Sequence, residues 1–188
     1  MVGALSVIVG IAGSLRRVVR AAALLRVAAE LAPAGVRIEQ SSIRGIPLYD
    51  GDVENANGIP EPVRALKDQI ANADGLLLVT PEYNNSIPGP FKNAIDWMSR
   101  PPADIARVFG NRPVALMGAT MGQGGTALAQ AAWLPVLRTL GTRPWFGRSI
   151  LVSGAHKVFD GDGRLTDEKL RERIAAFVAG FAEFARAR

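Results

Sequence analysis

Short blocks of strand character recur at residues 5–10, 36–39, 75–80, 113–118 and 149–152, and segments of helical length separate each block from the next. This pattern predicts five strands alternating with helices. LSVIVG and GLLLV are apolar at successive positions and not at alternate ones, as strands are when helices cover both faces of a parallel sheet. The intervening segments read as helices over 17–31, 60–72, 90–99 and 125–140, and Pro135 should kink or split the last of these. A final helix is the clearest. Leu170, Ile174, Phe177, Val178, Phe181, Phe184 and Ala185 share one face, and Thr166, followed by Asp167 and Glu168, is the expected N-cap.

No repeat, low-complexity tract or linker divides the chain, so residues 1–188 read as a single α/β domain. Right-handed crossovers with strand order 2-1-3-4-5 would make it a flavodoxin-like, doubly wound three-layer sandwich. A ligand should then lie beyond the carboxyl ends of strands one, three and four.

Composition removes much chemistry. The 188 residues are 48% hydrophobic and 21% charged, which describes a folded domain with a large core. With no cysteine and one histidine, His156, the chain has no disulfide, thiolate nucleophile or Cys-type metal site, and no metal is expected. No apolar run approaches the ~18 to 20 residues that a membrane span needs, and the first apolar segment has no basic stretch before it. A soluble, cytoplasmic protein without membrane insertion is expected. The net charge is +5, and Arg16, Arg17, Arg20, Arg26 and Arg37 make the N-terminal part locally basic, which suits a phosphate-bearing cofactor, an anionic substrate or nucleic acid. No basic helix with interleaved aromatics supports nucleic acid as the partner.

The loops at the three strand ends narrow the choice. After strand one, Gly10-Ile11-Ala12-Gly13-Ser14-Leu15-Arg16-Arg17 is small, hydroxylated and basic, and suits a phosphate approached by backbone N–H groups, Ser14 and Arg16. Read alone, it is equally an ordinary strand-to-helix turn with Ser14 as N-cap. No GxxxxGK[ST] occurs, so an ATPase P-loop is excluded. After strand three, residues 80–90 hold three prolines together with Glu82, Tyr83 and Asn84. This stiff loop is rich in donors and able to line the edge of a planar ring. After strand four, residues 119–127 contain a GxGxxA match at 122–127, but no acidic residue follows about 20 positions on, so the segment reads as a third ring-contacting loop.

The remaining candidates are structural. His156 has no nucleophile motif beside it, the 160–163 segment DGDG reads as a turn and not a calcium loop, and Trp97, Trp133 and Trp145 read as core or interface.

GSLRR after strand one, IPLYDGD at 46–52 and TPEYNNSIPGPFKNAIDWMSRP at 80–101 together resemble the NADPH-dependent FMN reductase family, in particular its quinone and chromate reductase branch. The resemblance implies FMN held by the three loops and two-electron transfer from NAD(P)H to quinones or other small acceptors such as chromate or free flavin. Ser14 and Arg16 would hold the FMN phosphate, Pro81, Glu82, Tyr83 and Asn84 would border the isoalloxazine, and Thr120 would meet its other edge. The flavin carries the chemistry, so no catalytic side chain is required. A homodimer or homotetramer is also implied. Three positions depart from the family pattern: Val19 and Ala21 stand where a Ser and an Asn are usual, and Asn85 where an aromatic is usual. A flavin-binding electron carrier of the same fold, without enzymatic turnover, is the alternative reading.

Overall fold

The computed structural model describes residues 5–15 and 20–187. Five parallel lanes form the sheet, in the order β2 (Val36–Ser42), β1 (Ser6–Ala12), β3 (Gly75–Thr80), β4 (Pro113–Ala119) and a broken fifth lane. The expected order and direction are thus found. The fifth lane includes the expected strand at 149–152 and has a further segment before it. It consists of β5 (Arg143–Pro144), paired with the start of β4, and β6 (Ile150–Val152), paired with its end, so the sheet holds six strand segments.

The continuous apolar blocks are explained by two cores. Along β1, Ile8 and Ala12 face a core shared with α1 (Arg20–Glu30) and α7 (Glu168–Arg186), while Val9 and Ile11 face the opposite core. That second core is built with α3 (Glu61–Ala71), α4 (Gly89–Met98), the single turn α5 (Ile105–Val108) and α6 (Ala127–Thr139). Strand β3 divides in the same way, with Leu77 and Val79 on one face and Leu76 and Leu78 on the other. The central runs of β1 and β3 are therefore apolar at successive positions. All three tryptophans serve these cores. Trp97 and Trp133 are fully buried, and Trp145 packs on Phe177 and Phe181.

Other boundaries moved for local reasons. Strand β2 runs on through Gln40, Ser41 and Ser42, whose polar side chains give no apolar signal although their backbone continues the pairing with β1. A seven-residue helix, α2 (Gly51–Asn57), buries none of its residues, so it carries no amphipathic pattern; the Asp50 carboxylate caps it by accepting from the Asp52 N–H. Helix α6 is not split by Pro135. The carbonyl that loses its partner there is that of Ala131, on the exposed side of the helix. Asp167, and not Thr166, is the N-cap of α7, accepting from the Leu170 N–H at 2.9 Å, while Thr166 bonds the Val158 carbonyl. The DGDG segment is a tight turn in which the Asp160 carboxylate accepts from the Arg164 N–H. No described helix is long and apolar enough to cross a membrane.

The segment after β2 is tied to the C-terminal end of α4. Arg100 donates to Glu54 at 2.8 Å and the Tyr49 hydroxyl donates to the same carboxylate at 3.0 Å. Nearby, buried Lys67 pairs with Asp104 at 2.6 Å. The Arg100 bond holds the Glu54 carboxyl below its usual range, and the Lys67 bond does the same for Asp104. Both groups bind protons less tightly folded than unfolded, so their stabilisation is complete above the ordinary carboxylate range of roughly pH 4 to 5 and is lost as pH falls below it. The thermal midpoint is expected to drop on acidification below that range. In a Glu54→Gln/Asp104→Asn variant the midpoint at neutral pH should be lower and the acid limb flatter; equally steep limbs would show that these carboxylates do not set it.

Candidate functional site

Three loops meet at the carboxyl ends of β1, β3 and β4. The first leaves β1 at Gly13, whose N–H donates to the Val79 carbonyl at 2.9 Å, so the loop starts by leaning on the end of β3. A side chain at Gly13 would collide with the Phe91 ring, which fills the space beneath it. The Ser14 hydroxyl lies 3.2 Å from the Tyr83 hydroxyl, joining the first loop to the second across 69 residues of sequence. Arg16 and Val19 fall outside the described residues.

The second loop owes its stiffness to more than its prolines. Tyr83 and Ser86 exchange backbone hydrogen bonds at 3.2 and 3.0 Å around Asn84 and Asn85, with φ of 50° and 60°. Such a turn needs left-handed backbone at both central residues, and asparagine tolerates it better than most residues do. Asn85 therefore suits its place conformationally. The Glu82 carboxylate accepts from the Ala129 N–H at 2.9 Å, which caps the start of α6. Its expected place on a ring edge is thus shared with a structural duty, because this carboxylate fastens the second loop to the helix that follows the third.

The third loop is sewn to the end of the sheet. Thr120 donates its N–H to Val152 and accepts at its carbonyl from Ala155, and its hydroxyl accepts from the Gly122 N–H at 3.3 Å. Gly125 and Thr126 both have positive φ, at 59° and 70°, so the helix that was expected from residue 125 starts only at Ala127. Thr126 is fully buried, and its hydroxyl accepts from Gln130.

Of the expected site residues, the structure joins Ser14 to Tyr83 directly, and joins Glu82 to α6. Pro81 and Asn84 belong to the same rigid turn, while the Thr120 hydroxyl turns to its own loop. The basic cluster behaves otherwise than its charge suggests. Arg20 and Arg26 donate to the Asp160 and Gly163 carbonyls, and Arg37 pairs with Glu39, so none of these three serves the site. His156 is exposed in a single turn of 3-10 helix after β6. Arg44 was not visible as a site residue in the sequence. It follows the polar end of an edge strand, 29 residues from the Leu15 carbonyl that it binds at 2.6 Å.

The described residues fit a phosphorylated flavin. A groove of about 490 Å³ opens beside Ser14, and its polar lining is Ser14, Gln40, Ser41, Ser42 and Arg44, a set of donors suited to an anion. Residues 83–86 of the second loop and 121–124 of the third are exposed, where a planar ring could meet them.

Fold and site together define a flavin-binding protein of flavodoxin-like architecture. The family model of the NADPH-dependent FMN reductases matches residues 7–157, and the chain belongs to that family. It is 45% identical over 167 residues to the NAD(P)H-dependent FMN reductase PA1204 of Pseudomonas aeruginosa, which covers 89% of this chain and 88% of that protein. It is 38% identical over 178 residues to a 2-hydroxy-1,4-benzoquinone reductase of a Burkholderia species, covering 95% of each. Among solved structures, the flavoenzyme NAD(P)H:(acceptor) oxidoreductase FerB of Paracoccus denitrificans superposes with a TM-score of 0.84 at 33% identity, over 96% of this chain and 97% of that one. Membership makes FMN the cofactor and a reduced nicotinamide nucleotide the electron donor.

Proposed function

We propose that this protein is an FMN-dependent NAD(P)H oxidoreductase that passes two electrons to quinones, and that chromate and free flavin are among the small acceptors it takes. The observation that carries the reading is the meeting of the 13–15, 81–86 and 120–127 loops at the carboxyl ends of three adjacent parallel strands, in a chain of this family. Ser14 and Arg16 hold the FMN phosphate by charge-assisted hydrogen bonds. The backbone of Pro81, Glu82, Tyr83 and Asn84 borders one edge of the ring, and Thr120 with its glycine-rich turn borders the other. When bound, FMN accepts two electrons from the nicotinamide and hands them to the acceptor.

The protein's part is binding and orientation. The locked Asn84-Asn85 turn and the Glu82 strut hold two loops in place before the ligand arrives, so little ordering is left to be done on binding. Exposed Leu48, Val53, Leu128 and Phe146 support a homodimer or homotetramer in a chain that is one domain throughout. Light scattering on the purified protein measures that state.

The test is spectroscopic. Protein loaded with FMN is expected to show an oxidised flavin spectrum that bleaches on anaerobic addition of NADPH and returns on addition of a benzoquinone, with chromate and free FMN tried as alternative acceptors. Bleaching without steady turnover on any acceptor would favour the electron carrier. Failure to bind FMN at all would remove the flavoprotein reading.

A further inference from the structure

Three arginines of the basic N-terminal half are occupied elsewhere, as described above, and this makes the position of Arg44 informative. Its Nη2 donates to the Leu15 carbonyl and its backbone N–H donates to the Ser42 hydroxyl at 3.1 Å, so both ends of the residue are fixed against the loop after β1 and the end of β2. Among the described residues no carboxylate pairs with it, and its Nε and Nη1 have no acceptor. The groove it borders is lined on the α1 side of the sheet by Ser14, Gln40 and Ser42. Ser41, between them in the strand, turns to the opposite face and bonds Gln69 at 2.6 Å. Small residues keep the groove open, since Ala12 and Ala22 form part of its wall. The neighbouring Ala21 is buried and has no side-chain donor.

A cation beside two hydroxyls and an amide, with no carboxylate among the described residues to neutralise it, offers the kind of donors that a dianionic phosphomonoester requires. We propose that Arg44, with Ser14 and Ser42, forms a phosphomonoester-binding site in which the edge-strand loop supplies the charge that reaches the loop after β1. The proposal rests on the flavoprotein reading for its ligand. Two nucleotides of the reaction carry such a group, the 5′-phosphate of FMN and the 2′-phosphate of NADPH. The site recognises the chemistry they share.

Calorimetric titration of apo-protein with FMN and riboflavin, together with KM values for NADPH and NADH, separates the two sources. Arg44→Ala should weaken FMN about tenfold relative to riboflavin, or raise the KM for NADPH about tenfold relative to NADH. Arg44→Gln keeps a donor for the Leu15 carbonyl but no charge, and should lose as much as Arg44→Ala, whereas Arg44→Lys should retain part of the preference. If Arg44 only anchors the loop, Arg44→Gln will behave like the wild type, or FMN and riboflavin will weaken by the same factor while NADPH and NADH stay matched. Either result overturns the assignment while leaving the flavoprotein reading intact. Wild-type protein that binds neither flavin would overturn both.

Discussion

Replacing Phe91 by alanine is expected to cost about 3 to 5 kcal/mol of folding free energy and to weaken FMN more than any comparable deletion elsewhere in the core. Phe91 lies in the first turn of α4 and is fully buried. Its ring meets Trp133 of α6 edge to face, with centroids 5.0 Å apart, and its upper surface closes the space under Gly13, where no side chain would fit. One aromatic pair therefore supports the loop after β1, the helix that follows the second loop and the helix that follows the third. Removing the ring leaves a cavity where all three are joined. For a chain of this length the thermal midpoint should fall by roughly 6 to 20 °C.

A control separates loss of stability from loss of the site. Trp145 meets Phe177 edge to face and Phe181 at a tilt, in the other core. Trp145→Ala should lower the midpoint while leaving the FMN dissociation constant of the folded protein within about twofold, because mutations without shared partners act independently. Calorimetric titration below both midpoints gives the comparison. Equal flavin affinities in the two variants would mean that the Phe91–Trp133 pair supports the fold alone.

Much of this architecture was legible because it is written in burial. Strands covered on both faces must be apolar throughout, and β1 and β3 announce themselves for that reason; α7 shows its buried stripe at helical spacing. What burial does not mark was hidden. Helix α2 buries nothing, the end of β2 is polar, and of the fifth lane only the β6 half was expected, because the two residues of β5 are too few to show any periodicity. The site divides along the same line. Loop positions could be placed because they follow legible strands, and so Ser14, Tyr83 and Thr120 could be proposed at the strand ends where the three loops meet. Side-chain direction within a loop has no such signature. Nothing in PEYN says that Glu82 will reach across to α6, and nothing near Arg44 says that it will reach back to Leu15 instead of pairing with an acid.

Gly118→Ala is the second large effect, and it tests how rigidly the third loop is held. Gly118 sits near the end of β4, paired with Thr80 on one side and Leu151 on the other. A methyl group there would strike the Thr126 hydroxyl and the Thr80 carbonyl oxygen, and would come within 2.9 Å of the Thr126 Cβ. The threonine side chain thus occupies the room that the glycine leaves. Thr126 holds a left-handed conformation, costly for a β-branched residue by about 1 to 3 kcal/mol, and its burial and its bond from Gln130 offset that cost. Gln130 also donates to the Ile150 carbonyl at 3.0 Å, so expelling Thr126 would disturb the fifth lane as well as the loop. The Thr80 oxygen belongs to a neighbouring strand and has nowhere to move. Gly118→Ala should therefore cost about 3 kcal/mol, a fall of roughly 6 to 12 °C in the midpoint, with a matching loss of FMN affinity as residues 120–126 are displaced. In the double variant Gly118→Ala/Thr126→Gly, glycine accepts the positive φ and half the collision disappears, so part of the stability should return while the contact with Thr80 keeps the rest from doing so. Scanning calorimetry on the single and double variants measures both steps. A single variant that melts with the wild type would mean that the loop swings aside freely, and the picture of a third loop fixed before flavin arrives would be wrong.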